Sequence, residues 1–176
     1  MKQVWLIFLL LLGASEVGAN ESIDIKKLRQ QYYAAVQSAD ATEKLYKELK
    51  RNAKPSPLIV AYTGSLEALR AKHALNPYNK LQYLKEADNT MKRAVKADPD
   101  NIEIRFLRFS YQYYVPEFLG YSENKEEDVK SIVALIKAGN FAQADKSLVQ
   151  NVVRFLEETK SVQKEELRQL KQLTGA

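Results

Sequence analysis

The side chains that could do chemistry in this chain are few, and their spacing restricts each of them. His73 is the only histidine, in the run Ala71-Lys72-His73-Ala74. A helical metal site of the histidine type needs a second histidine a turn away, and cysteine thiolates are the other common ligands. The chain has neither a second histidine nor any cysteine. No metal site is expected, and His73 reads as a helix-face imidazole in an ordinary hydrogen bond. Glu67 and Arg70, three apart, read as an ion pair within one helix. Glu126-Glu127-Asp128 could bind calcium or act as acids, but carboxylates in the first turn of a helix also follow from the helix dipole. No nucleophile–base pair, glycine-rich phosphate loop or serine elbow is present. No catalytic residue can be named and no cofactor is expected. A hydrolase ranks last among the functional readings.

Arg105 and Arg108 are the sharper pair. With Gln112 they form a polar stripe, spaced three and four apart, on a segment otherwise rich in apolar residues. Buried guanidinium groups need compensating partners, because an unpaired buried charge is very costly. One reading pairs them with acids of neighbouring helices, such as Glu67, Glu86 or Asp88, or lets them reach the surface along their apolar stems. The other makes them the floor of a groove for a carboxylate or a peptide terminus. Tyr62, Tyr111, Tyr113, Phe118 and Tyr121 would then flank that groove, since tyrosine and arginine are common at binding surfaces.

The elements that must position these residues are helices. Apolar residues recur at helical spacing nearly everywhere, and no sustained alternation suggests a strand. The predicted helices run from about Ile23 to Val36, Ala41 to Arg51, Leu58 to Leu75, and Asn76-Pro77 to about Ala97. They continue from Asp100 to Val115, from Asn124 to Lys137, and from about Phe141 onward. Asp40 with Glu43 has capping-box spacing, while Ser56-Pro57 and Asn76-Pro77 are cap-plus-proline starts. Gly64 inside a helix costs about 1 kcal/mol relative to alanine, so a close helix–helix contact is its expected purpose. The Asp100–Val115 helix carries two apolar stripes: Ile102, Phe106, Phe109, Tyr113, and Ile104, Leu107, Tyr111, Tyr114. A helix apolar on most sides belongs at the centre of its domain. Beyond Glu157 the sequence is mostly charged, and that end is expected to project or fray.

Ahead of these elements lies a targeting pattern. Met1-Lys2 is followed by the apolar run Val4 to Leu12 and by small residues ending Val17-Gly18-Ala19. This order predicts a secretory signal, residues 1–19, cleaved after Ala19. The apolar run is shorter than the roughly 20 residues needed to span a bilayer. Residues 20–176 are long enough for one domain with a sizeable core. The predicted cleavage removes Lys2 and Glu16, one charge of each sign, so the net charge of +5 is unchanged. Lys and Arg are interleaved with acids, which argues against a nucleic-acid surface; a mild attraction to anionic surfaces follows from the net sign.

Ala87, Met91, Ala94 and Pro99 resemble the second-helix part of a tetratricopeptide unit, with Met91 in place of the usual aromatic residue. Gly139, Phe141 and Ala144 resemble the turn and second-helix start of another. The family's first-helix Trp, Leu-Gly and Tyr signature is absent, and no period of about 34 residues appears. The resemblance implies an all-α, irregular array of antiparallel helical hairpins, tetratricopeptide-like, with about seven helices after the signal. The stretch from Pro57 to Asp128 also resembles a group of small exported bacterial proteins without an assigned function. The expectation is an exported, non-enzymatic scaffold or interaction module, periplasmic or secreted, whose partner is another envelope or extracellular protein or peptide. A small-ligand or peptide-carboxylate binding protein using Arg105 and Arg108 is the alternative. Neither nucleic acid nor a membrane-spanning segment in the mature chain is expected.

Overall fold

The computed structural model describes residues 23–141 and 144–176. The expected signal lies outside these residues. Among them the chain forms eight α-helices: α1 Ile25–Gln37, α2 Ala39–Lys50, α3 Pro57–His73, α4 Pro77–Ala97, α5 Ile102–Tyr114, α6 Lys125–Lys137, α7 Lys146–Glu158 and α8 Lys164–Thr174. A short 3-10 turn, Glu117–Leu119, follows α5. The helices pack as antiparallel pairs. None of the described helices is long and apolar enough to cross a membrane.

Local chemistry accounts for most helix ends. The Ser56 hydroxyl accepts from the Ile59 N–H and the Asn76 side-chain oxygen from the Tyr78 N–H. Pro57 and Pro77 follow as first helical residues, where a missing N–H costs nothing. Asn101 caps α5, accepting from the N–H groups of Glu103 and Ile104. The start of α2 differs from expectation. Ser38, in extended conformation, closes α1 and caps α2 by accepting from the Ala41 N–H at 3.2 Å. Asp40 therefore lies inside the first turn, and Glu43 pairs with Arg70 and Lys47 rather than closing a capping box.

The C-terminal region differs more. The helix expected from Phe141 begins at Lys146, capped by Asp145. It stops at Thr159 and Lys160, the latter with φ +51°, and the chain turns back into α8. The charged tail does not project. Leu170 is fully buried and Leu167 packs beside it, while Lys171 pairs with Glu157 and Lys137 with Glu166. Two leucines three residues apart suffice to dock a helix whose other faces are charged, so the array has one helix more than expected.

Helix α5 joins two apolar clusters. Ile104, Leu107 and Tyr111 enter a cluster built from α1 to α4. Ile102 and Phe109, with Phe106 beside them, enter a second cluster built from α6 to α8. Up to Tyr111 the two stripes of the sequence thus face different halves of the core, while Tyr113 and Tyr114, expected to continue them, lie exposed at the helix end against Phe155. The most extensive helix interface is α3 against α4, and Gly64 permits it: a methyl group there would lie 3.1 Å from Met91 Cγ and 3.3 Å from Thr90 Cγ2.

Candidate functional site

Arg105 and Arg108 lie on the face of α5 turned toward the start of α6, and their partners come from there. Arg108 donates from Nε to Asp128 Oδ2 at 2.6 Å and from Nη2 to Oδ1 at 2.7 Å. Arg105 donates from Nη1 to Glu127 Oε1 at 2.6 Å and to Asp128 Oδ1 at 3.0 Å. Its Nε reaches back to the carbonyl of Pro99 at 2.8 Å. Burial works against the charge of Arg108, but the Asp128 and Glu127 carboxylates together outweigh it and hold the pKa above its usual value. The hydrogen bond from Arg105 lowers the Glu127 pKa. Glu127 and Asp128 occupy the first turn of α6, where a carboxylate also suits the dipole. The cluster clamps α5 to α6 and to the turn after α4.

The acids expected to hold these arginines are elsewhere. Asp88 pairs with Lys92, and Glu86 lies 3.9 Å from Arg70. The expected Glu67–Arg70 pair is not formed. Arg70 bonds Glu43 of α2, with its guanidinium between the rings of Tyr46 and Tyr83 at 4.3 and 4.2 Å. Glu67 is buried, and its Oε2 has no hydrogen-bond partner. Burial raises its pKa, and a hydrogen bond with Thr90 partly offsets this. His73 places Nε2 3.3 Å from the Ala35 carbonyl. Among the described residues, no group of three His, Cys, Asp or Glu side chains is arranged to hold a metal ion.

The aromatic residues assigned to the same groove disperse. Tyr62 is buried and donates its hydroxyl to Glu103 at 2.6 Å. Tyr111 is buried in the first cluster, with the fully buried Gln112 donating to its hydroxyl at 3.4 Å. Tyr121 packs, half-buried, on the same cluster. Tyr113 is exposed but touches Phe155 of α7 edge-on. Phe118 is 86% exposed and Tyr114 73%. Of the expected set only Tyr113 and Phe118 are exposed; Tyr114, which was not in that set, is exposed too and meets Tyr113 edge-on.

A polar constellation that the sequence did not single out surrounds Glu103. This carboxylate is buried and accepts from Arg29 Nε at 2.8 Å, Arg29 Nη2 at 2.6 Å and the Tyr62 hydroxyl. Arg29 also bonds Asp145. The bond to Glu103 raises the Arg29 pKa. Burial, followed by the Glu103 charge, raises that of Tyr62. A cleft of about 370 Å³ opens here, lined by Ile25, Arg29, Leu58, Asn101, Glu103 and Asp145 among others. These residues place the N-termini of α1, α3, α5 and α7 around one opening. The available signal was Glu103 itself, a carboxylate between Ile102 and Ile104. Its partners lie 74 and 41 residues away in the chain.

No protein-family model, curated protein or solved structure matches this chain.

Proposed function

We propose that this chain is an exported, non-enzymatic interaction module, a tetratricopeptide-like array that holds another envelope or extracellular protein. The observation that carries the reading is the end of α5. There Tyr113 and Tyr114, in the last turn of the helix that joins both core clusters, and Phe118, in the 3-10 turn that follows it, stand exposed within six residues. A rigid helix end with open tyrosine and phenylalanine offers large contact area at little entropic cost, as binding hot spots require. Support for the repeat likeness comes from the buried Ala87, Met91 and Ala94 and from Gly64 at the α3–α4 contact. The grouped N-termini of the odd-numbered helices fit stacked hairpins.

The test is capture of partners from the native envelope fraction, comparing wild type with Tyr114→Ser/Phe118→Ser. Both side chains are exposed, so the thermal midpoint should be unchanged while capture is lost. Equal capture by a stably folded variant removes the platform from the reading. The alternative, binding of a small carboxylate, loses its site, because Arg105 and Arg108 are committed to Asp128 and Glu127, and Arg29 in the cleft is likewise committed to Glu103 and Asp145.

A further inference from the structure

The turn between α3 and α4 presents apolar side chains that the core does not use. Leu75 is 97% exposed and Tyr78 74%, and Leu81, on the same face of α4 as Tyr78, is also exposed. Scattered exposed leucines are ordinary. Three large apolar side chains within seven residues at the tip of the tightest hairpin are not scattered. The tip is also braced. Lys72 donates from Nζ to the Val36 carbonyl at 2.8 Å, and His73 lies against the Ala35 carbonyl, so the end of α3 is tied to the end of α1. Asn76 and Pro77 hold the start of α4.

The charge around this tip is mostly of one sign. Between Glu67 and Glu86 the chain has no acid, and it carries Arg70, Lys72, Lys80 and Lys85. Arg70 is turned inward to Glu43 and the two tyrosine rings. Lys80 and Lys85 are exposed and pair with no acid among the described residues. The α1–α2 turn bound to the tip contributes one exposed carboxylate, Asp40, which leaves the balance cationic. Exposed leucine and tyrosine with two acid-free lysines along the same hairpin are complementary to a bilayer interface. The leucine enters the acyl boundary, the tyrosine sits at headgroup depth, and the lysines meet lipid phosphates.

We infer that the α3–α4 hairpin tip is an anchor for anionic membrane surfaces, with Leu75 and Tyr78 inserted and Lys80 and Lys85 on the headgroups. The anchor is separate from the aromatic platform of α5, so each can fail without the other.

The experiment is flotation with vesicles of equal parts phosphatidylglycerol and phosphatidylethanolamine, against vesicles of phosphatidylcholine alone. It uses protein expressed with its own N-terminal segment, so wild type and variants share whatever processing occurs. Wild type should float with the anionic vesicles, much less with phosphatidylcholine, and less as salt rises. Leu75→Ser/Tyr78→Ser and Lys80→Gln/Lys85→Gln should each weaken partitioning by about tenfold or more. Tyr114→Ser/Phe118→Ser should bind vesicles as wild type does. Absence of wild-type flotation overturns the inference, as does flotation that persists in both tip variants. Loss of flotation in the α5 variant alone assigns the lipid contact elsewhere and equally overturns it. Circular dichroism melts of the variants, expected to match wild type, exclude loss of folding as the cause.

Discussion

Arg108 grips Asp128 with two parallel hydrogen bonds, 2.6 and 2.7 Å, across the α5–α6 interface, and the Asp128 side chain is wholly buried. A second cation, Arg105, shares the same carboxylate. The two arginines that looked most available for a ligand are thus satisfied from within the fold.

Removing the carboxylate leaves two guanidinium groups with the half-exposed Glu127 as their one acid. Asp128→Ala should destabilise the protein by about 3–5 kcal/mol, the cost of breaking a buried ion pair on one side. Arg108→Met combined with Asp128→Leu should cost less than the two single losses added together, since Arg108 is no longer stranded and Arg105 keeps Glu127. Urea denaturation of the four proteins measures the coupling. Additive losses would mean the two side chains act independently.

Glu67 sets a pH dependence whose sign follows from burial. Its folded-state pKa is raised, so the ionised form is disfavoured in the folded protein. Below the ordinary glutamate range it is protonated in both states and the penalty is absent. As pH rises through the unfolded and then the folded value, the penalty develops in full. Lys50 and Arg93 moderate the shift, and Glu86 adds to it. The stability of Glu67→Gln relative to wild type should therefore rise from acid to neutral pH, by urea midpoints at each pH. A flat difference would show that Glu67 is solvated in the folded state. Glu127 works the other way: its contribution is present above its unfolded value and is lost as pH falls through the lowered folded one.

Gly64 separates helix propensity from packing. Alanine there gains about 1 kcal/mol of propensity but presses a methyl group on Met91 and Thr90. Met91 is flexible enough to give by a few tenths of an ångström, so Gly64→Ala should lie within about 1 kcal/mol of wild type. Gly64→Val adds bulk that the Ala87 backbone cannot avoid and should cost about 1–3 kcal/mol. Thermal midpoints of both variants check the contrast, and a stabilised valine variant would contradict the close approach.

Leu170 tests the docked end of the chain. Its side chain is fully buried against the second cluster, so Leu170→Ala should lose about 2–5 kcal/mol. Hydrogen exchange should show α8 amides protected in wild type and released in the variant. An unchanged stability would mean that the α8 contact contributes nothing.

Several features were readable from residue types and spacing because they depend on local geometry. The all-helical content follows from the 3.6-residue periodicity, and the starts of α3 and α4 follow from Ser56-Pro57 and Asn76-Pro77. The two apolar stripes of α5 correctly implied a central helix. Gly64 correctly implied a close helix contact, since its cost in propensity needs a compensating gain. The docking of α8 was hidden because Leu167 and Leu170 are a thin apolar signal in a charged segment. Ser38 was overlooked as a cap because one residue had to end one helix and begin the next.

Which charges pair with which was a different kind of question. Arg105 and Arg108 had to find acids, and local spacing could say that much. That the acids are Asp128 and Glu127, rather than Glu67, Glu86 or Asp88, depends on how α6 crosses α5. The same holds for Glu103, whose partners Arg29 and Tyr62 come from α1 and α3, and for the cleft where four helix N-termini meet. Helix formation is set by interactions within a few residues along the chain. Ion pairing and exposure are set by contacts between segments far apart in it, and only the packed array brings those together.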